Sequence, residues 1–340
     1  MIKKAINAAA LIIAAAGTPA LAANLENPLY LPKGGEVYSK TGFGVMYKTA
    51  DGTEAQLDKV PSHAGVEEFP IWRATEEFGY GIIDGLAVVG QFGYTYNGDI
   101  ERKGLHLGRL GLAYRVMADA SELVWDVYAD AHLGGVSKMT GVLNIPGGFN
   151  YDNYTTGQYG AFIGTKVGKT WDKLTGMAYA ELGYYLPSDN TKIDFEAQSG
   201  TLLGSIKGDA VAKMGSFLDW NVGTKWTYDL APEWTGGLGF AWKHHGEHKV
   251  KSAKVKATEY HAGLVSAVPG IITGLTESFD NTGLKDSFDE FPITISIANQ
   301  LTDNVQVALY GEYTFDDGDT GSQNTTDTKV ELGARVNVRF

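Results

Sequence analysis

The sequence predicts an all-β chain, an antiparallel up-and-down transmembrane β-barrel of about fourteen strands, with twelve as the alternative. Three observations predict it. Apolar residues fall on alternate positions over stretches of strand length, the connections between those stretches are alternately short and long, and no apolar run beyond residue 22 approaches the ~20 residues that a membrane-spanning helix needs.

The first 22 residues stand apart from the fold. Lys3 and Lys4 precede an apolar run from Ala8 to Ala16, and Ala20-Leu21-Ala22 supplies small residues for cleavage, the three regions of a secretory signal peptide. Residues 23–35 follow as a lead-in on the periplasmic side. Within them Asn27-Pro28 and Leu31-Pro32 prevent a regular strand, because proline cannot donate to a ladder. The choices for this segment are a short plug at the barrel base and a flexible terminus. The barrel itself is expected over 36–340.

Alternation is clearest at the C-terminus. Val330, Leu332, Ala334, Val336, Val338 and Phe340 share one parity, while Lys329, Glu331, Gly333, Arg335, Asn337 and Arg339 take the other. Leu218 to Tyr228, Leu174 to Leu186, Leu86 to Tyr96 and Leu110 to Val116 repeat the pattern. In hydrocarbon every backbone polar group needs a partner, so such strands must close into a ring with the greasy parity outward and the polar parity around water.

Short links are expected at Asp84-Gly85, Asp119-Ala120-Ser121, Trp171-Asp172-Lys173, Ala231-Pro232-Glu233 and Thr302-Asp303. Longer polar connections are expected at 50–66, 138–156, 188–214 and 316–325. Fourteen strands result when 270–279, which alternates least, is counted. An even number puts both termini on the periplasmic side.

Composition narrows the functions. The chain has no cysteine, so neither disulfides nor thiolate metal sites hold it together. Removing Lys3 and Lys4 takes the formal charge from −12 to about −14, which excludes the basic face that nucleic acid requires.

The signal peptide, the alternating strands, the aromatics near strand ends and the last strand closing on Phe340 together resemble Gram-negative outer-membrane β-barrel proteins, a porin-like class. The resemblance spans nearly the whole mature chain and is carried by class-level motifs. It implies outer-membrane lipids as surroundings, the barrel-assembly machinery as a partner that reads Phe340, and a homo-oligomer as an assembly the class allows.

The polar parity supplies the candidate pore lining. With Trp125, Val127, Ala129 and Leu133 toward lipid, Asp126, Tyr128, Asp130 and His132 face the lumen, as do Arg109 and Arg115 across the hairpin. Antiparallel pairing puts Arg115 near Asp126 and Arg109 near Asp130 or His132. Such a row is either a constriction that sorts solutes by charge or a ladder that satisfies polar groups. The lumen also receives Glu181, Asp219, Lys225, Lys243, Glu312, Lys329, Glu331, Arg335 and Arg339. Tyr128, Tyr179, Tyr185 and Tyr310 have the parity for a sugar-stacking lane.

Other motifs carry less. His244-His245-Gly246-Glu247-His248 reads as a solvated strand end more than a metal site. Gly164 to Thr170 lacks the glycine spacing of a phosphate loop, and Asp316-Asp317-Gly318-Asp319 lacks that of a calcium loop. The seven tryptophans fit interfacial girdles.

The expected function is passive diffusion of small hydrophilic solutes, with no cofactor, no metal and no enzymatic activity. The alternatives are an occluded structural or adhesive barrel acting through its long loops, and an outer-membrane hydrolase for which only His132 with Asp130 and His245 with Glu247 could serve.

Overall fold

The computed structural model describes residues 24–49, 71–97, 102–119, 123–134, 136–143, 149–156, 158–199, 204–260, 273, 283–285, 287–316 and 328–340. The expected signal peptide lies outside them. In chain order the strands are β1 (Val37–Thr49), β2 (Ile71–Ile83), β3 (Leu86–Asn97), β4 (Arg102–Asp119), β5 (Leu123–His132) and β6 (Val136–Leu143). Then come β7 (Phe149–Thr156), β8 (Gly160–Trp171), β9 (Leu174–Tyr185), β10 (Ser188–Ser199), β11 (Gly204–Met214) and β12 (Phe217–Ala231). The last are β13 (Trp234–His245), β14 (His248–Tyr260), β15 (Gly283–Lys285), β16 (Phe288–Thr302), β17 (Val305–Asp316) and β18 (Thr328–Arg339).

Twelve of these strands close the barrel, in the order β1, β2, β3, β4, β5, β8, β9, β12, β13, β16, β17, β18 and back to β1. Every pairing around the ring is antiparallel. The seam is continuous from Tyr38 opposite Arg339 to Thr49 opposite Thr328, and Val37 and Phe340 exchange backbone hydrogen bonds of 3.1 and 2.8 Å. Closure gives the ladder groups of the wall partners without water, which lets it stand in hydrocarbon.

The count of fourteen is therefore corrected to twelve, the stated alternative. Of the region expected as a strand at 254–266, residues 254–260 fall on β14, which pairs with β11 and β15 and not with the ring, and 261–266 lie outside the described residues. The other, 270–279, lies outside the described residues except for Thr273. The long connections expected at 138–156 and 188–214 also carry strands. β6, β7, β10 and β11 form a ladder that leaves the wall through a short pairing of β4 with β6 and continues to β14. A ladder needs only backbone partners, so these polar segments extend the sheet past the bilayer without an apolar parity.

Short turns mark the opposite end, periplasmic in barrels of this type. Gly85 takes a left-handed φ of 83° between β2 and β3, and Asp172 reaches φ 50° between β8 and β9. Pro292 sits inside β16, and the register to β13 is interrupted there between Ile293 and Glu290, where a residue without an N–H cannot donate to the ladder.

The outer face is apolar. Phe43, Ile295 and Leu309 are 55%, 60% and 59% exposed, and exposed Trp72, Trp171, Trp234 and Trp242 stand toward strand ends. A belt of this extent has no place on a water-soluble monomer. A carboxylate stands on this face. Glu76 shares its parity with Trp72, Tyr80 and Ile82 and accepts hydrogen bonds from Ser39 Oγ at 2.5 Å and Thr41 Oγ1 at 2.6 Å.

Candidate functional site

The lumen is built from the inward parity of the twelve wall strands. Arg115 and Asp126 are direct cross-strand partners, and the guanidinium meets the carboxylate through two bonds of 2.8 and 3.0 Å. Lys166 from β8 completes a triad at 3.3 Å, and the Asp126 side chain is 0% exposed. Asp126 is thus a buried anion held between two cations, a requirement for keeping a charge away from water.

Arg109 lies further from the short turns. Its register partner is His132, so its contact with Asp130 at 3.1 Å is diagonal. Its stronger partner is Glu181 on β9, reached through bonds of 3.1 and 2.7 Å. Room for that reach comes from Gly164, which stands between Tyr128 and Glu181 in the register and whose missing side chain admits the Tyr128 ring. The guanidinium also lies 4.1 Å from the Phe162 ring centroid. His132 packs edge-on against Tyr185 at 5.3 Å.

A second charged wall runs over β18, β1 and β2. Arg73 meets Glu331 at 2.7 Å, and the Tyr310 hydroxyl donates to the same carboxylate at 3.0 Å. Lys40 meets Glu77 at 2.9 Å, beneath a hydrogen bond of 3.0 Å from Tyr38. These strands start from opposite sequence neighbours, and only the barrel's closure brings them together.

The lead-in crosses the short-turn end of the lumen. Asn24 bonds Thr235 of β13 at 3.1 Å and Gln306 of β17 at 3.0 Å. Glu26 makes a bidentate pair with Arg335 of β18 and accepts from Asn337 at 2.7 Å. The chain then reaches the far wall, where Arg115 donates to the Leu29 carbonyl at 2.5 Å and Lys166 to that of Pro28 at 3.4 Å. Leu29 packs on Val124 and Met177 in a small buried cluster. Glu36 then receives Tyr30 at 3.0 Å and Arg339 at 3.3 Å. Burial pushes the Glu26 carboxyl upward, but attraction and hydrogen bonds from Arg335, with Lys40 and Asn337, outweigh it and hold the group below its ordinary value of 4.5.

Above this floor lies a cavity of about 670 Å³. One side is charged and aromatic, with Arg109, Tyr128, Asp130 and Glu181. The other, on β12, β13 and β16, presents Asn221, Lys225, Gly237, Gly239, Ala241, Lys243, Thr294 and Ser296. A Cβ at Gly237 would collide with the Ser296 hydroxyl and one at Gly239 with the Thr294 hydroxyl. From Gly237 to Ala241 this wall is backbone with the small hydroxyls of Thr294 and Ser296 beside it, and the cavity extends along it.

The structure thus brings Arg115 to Asp126, and Arg109 to Asp130 and Glu181. Glu331 and Arg335 stand on β18, and Glu312 on β17 accepts from Thr314 at 3.4 Å. Lys225 faces the cavity from β12, its ammonium 5.9 Å from the Tyr179 ring centroid. Tyr128, Tyr179 and Tyr310 line the cavity, whereas Tyr185 stacks on Phe217 at 4.3 Å. His244 turns to Asp289 at 2.6 Å while His245 turns inward to Asp219 at 3.4 Å and Glu290 at 3.3 Å, so the two rings occupy opposite faces.

Sequence reasoning missed Lys40, Arg73, Glu77, Glu26 and the glycine wall. Arg73 and Glu77 were accessible from their parity opposite Trp72. Glu26 was not, because a single carboxylate in a non-periodic segment carries no register.

The class follows from these features: the chain is an antiparallel transmembrane β-barrel of the Gram-negative outer-membrane type. No family model matches the sequence. No curated protein matches it either. Among solved structures, an outer membrane channel from Pseudomonas putida F1 is similar over 94% of this chain and 100% of its own, at 11% identity and a TM-score of 0.52. The CymD monoaromatic hydrocarbon channel is similar over 92% and 90%, at 9% identity and a TM-score of 0.50. At such identities the likeness is one of fold.

Proposed function

We propose that this chain is an outer-membrane channel for passive diffusion of small hydrophilic solutes. The observation that carries the reading is the polar cavity running along the glycine wall inside a closed ring whose outside is greasy. Eight-stranded barrels are filled by side chains and sixteen-stranded ones leave an aqueous channel, so twelve strands leave space whose use depends on residue size. Here glycines leave it open. Fixed charges of both signs flank the route, the lining that hydrated solutes require and hydrocarbons avoid.

The same fold in a monoaromatic hydrocarbon channel supports transport as a use of the architecture, but the ion pairs of this lumen favour polar cargo. The lead-in favours a second element of the reading, a restricted base, because Glu26, Pro28 and Leu29 bridge opposite walls. Adhesive or structural action through the long connections has no such observation behind it. A hydrolase would need a base beside an activated nucleophile. His132 is enclosed by aromatic rings, and its neighbour Asp130 is engaged by Arg109. Phe340 remains the element offered to the assembly machinery, and assembly into homo-oligomers is part of the proposal by class alone.

Purified full-length chain in planar lipid bilayers should give discrete conductance steps. A correctly folded barrel that stays silent at all voltages would overturn the channel.

A further inference from the structure

Most charges in the lumen are matched, and among the described residues of the cavity lining Lys225, Lys243 and Glu312 are not in an ion pair. Lys40 is taken by Glu77, Arg335 by Glu26, Arg109 by Asp130 and Glu181, and Lys166 by Asp126. Lys225 differs. It forms no ion pair with any described residue, yet it projects into the cavity and is exposed there. Glu77 attracts it, a carboxylate that already serves Lys40 and Tyr38, while Lys40, Arg335 and Lys243 repel it.

The surroundings have room for a guest. Lys225 pairs in register with Gly239, next to Gly237, and the hydroxyls of Thr294 and Ser296 lie on the adjoining strand. The Tyr179 ring flanks the ammonium, and its hydroxyl approaches Asn221 at 3.4 Å. Backbone along Gly237 to Ala241 is itself part of the cavity lining. An ammonium without an ion pair, beside glycine backbone and small hydroxyls, is complementary to a small solute with one negative charge.

The geometry points to an anion subsite at Lys225 that takes a small organic monocarboxylate, with the carboxylate on the ammonium and the body of the solute along Gly237 and Gly239. Lysine presents one point charge, and a single positive charge without an ion pair matches an anion that carries one negative charge. The inference deepens the channel reading by naming a solute class. A site of this kind must hold its ligand loosely, since conduction requires release.

The test measures binding without conduction. The full-length barrel in detergent micelles is titrated with 4-fluorobenzoate, and with neutral 4-fluorobenzamide as control, following the ligand's 19F line width. Binding of the benzoate in preference to the benzamide is expected. Lys225→Gln should weaken it about tenfold, the loss of one charge-assisted hydrogen bond, while Lys225→Arg retains it. Equal binding of the two probes, or no change in Lys225→Gln, overturns the inference. Each reading fails separately: a barrel that binds benzoate through Lys225 yet conducts nothing refutes the channel, and a conducting barrel indifferent to benzoate refutes the subsite.

Discussion

The Glu26 carboxylate grips the Arg335 guanidinium through both oxygens, with Nε donating to Oε1 at 2.8 Å, and this one pair ties a segment without secondary structure to the barrel wall. The Glu26 side chain is 6% exposed and that of Arg335 31%, so the pair is shielded on the lead-in side and open to the lumen on the other. Glu26→Gln keeps the shape and removes the charge. It should cost about 1–3 kcal/mol of attachment and raise single-channel conductance, with a wild-type trace counting against the latch.

The same pair predicts a pH response. Its folded value is depressed, so its contribution is complete above the ordinary value of 4.5 and is lost as pH falls through the lower folded value. Conductance should stay level from neutral pH to about pH 5, rise only in stronger acid, and lose that rise in Glu26→Gln. A transition near neutrality would point to a different group.

Asp126 is the anion least able to lose its partners or be lost. Asp126→Ala leaves Arg115 and Lys166 facing each other beneath Leu29 and Pro28, at an expected cost of about 3–5 kcal/mol. Urea unfolding of the barrel in lipid vesicles should show a clear fall in midpoint. An unchanged midpoint would mean that water reaches the triad.

Glu76 predicts the opposite sign. It faces lipid with Ser39 and Thr41 as its partners among the described residues, so Glu76→Leu should stabilise the bilayer-embedded barrel by up to about 2 kcal/mol. The neighbouring Glu77→Leu should destabilise it, because Glu77 serves Lys40 and Tyr38 inside. Equal effects of the two substitutions would contradict the assigned parity.

Strand parity was legible because it is written residue by residue, and β18 runs inward and outward as Lys329 to Phe340 alternate. The Arg115–Asp126 pair was legible as well, since a tight hairpin fixes its register. What the chain did not disclose depends on contacts between distant strands. Glu181 reaches Arg109 from three strands away, past Gly164, and Glu26 reaches Arg335 from the other end of the sequence. The strand number was overcounted for a related reason. The part of 254–266 that falls on β14 has the backbone demands of barrel wall, and its pairing with β11 and β15 in place of a ring neighbour is a long-range fact.

The glycine wall predicts a position-specific block. Gly239→Val places a branched side chain against Thr294 and into the lane, and conductance should fall sharply. Gly236→Val, outward and within ordinary contact of Leu230, should leave it unchanged. A block by both, or by neither, would move the route elsewhere.

The most direct measurement uses the absence of native cysteine. Lys225→Cys and Trp226→Cys, adjacent on β12 with opposite parity, are each reconstituted in vesicles and exposed to a charged, membrane-impermeant methanethiosulfonate and to a lipid-soluble maleimide. A water-filled lane inside a lipid-facing wall requires rapid reaction of residue 225 with the charged reagent, and reaction of residue 226 with the lipid-soluble one only. Protection of residue 225 from the charged reagent, or labelling of both positions by it, would contradict the water-filled barrel on which the proposed function rests.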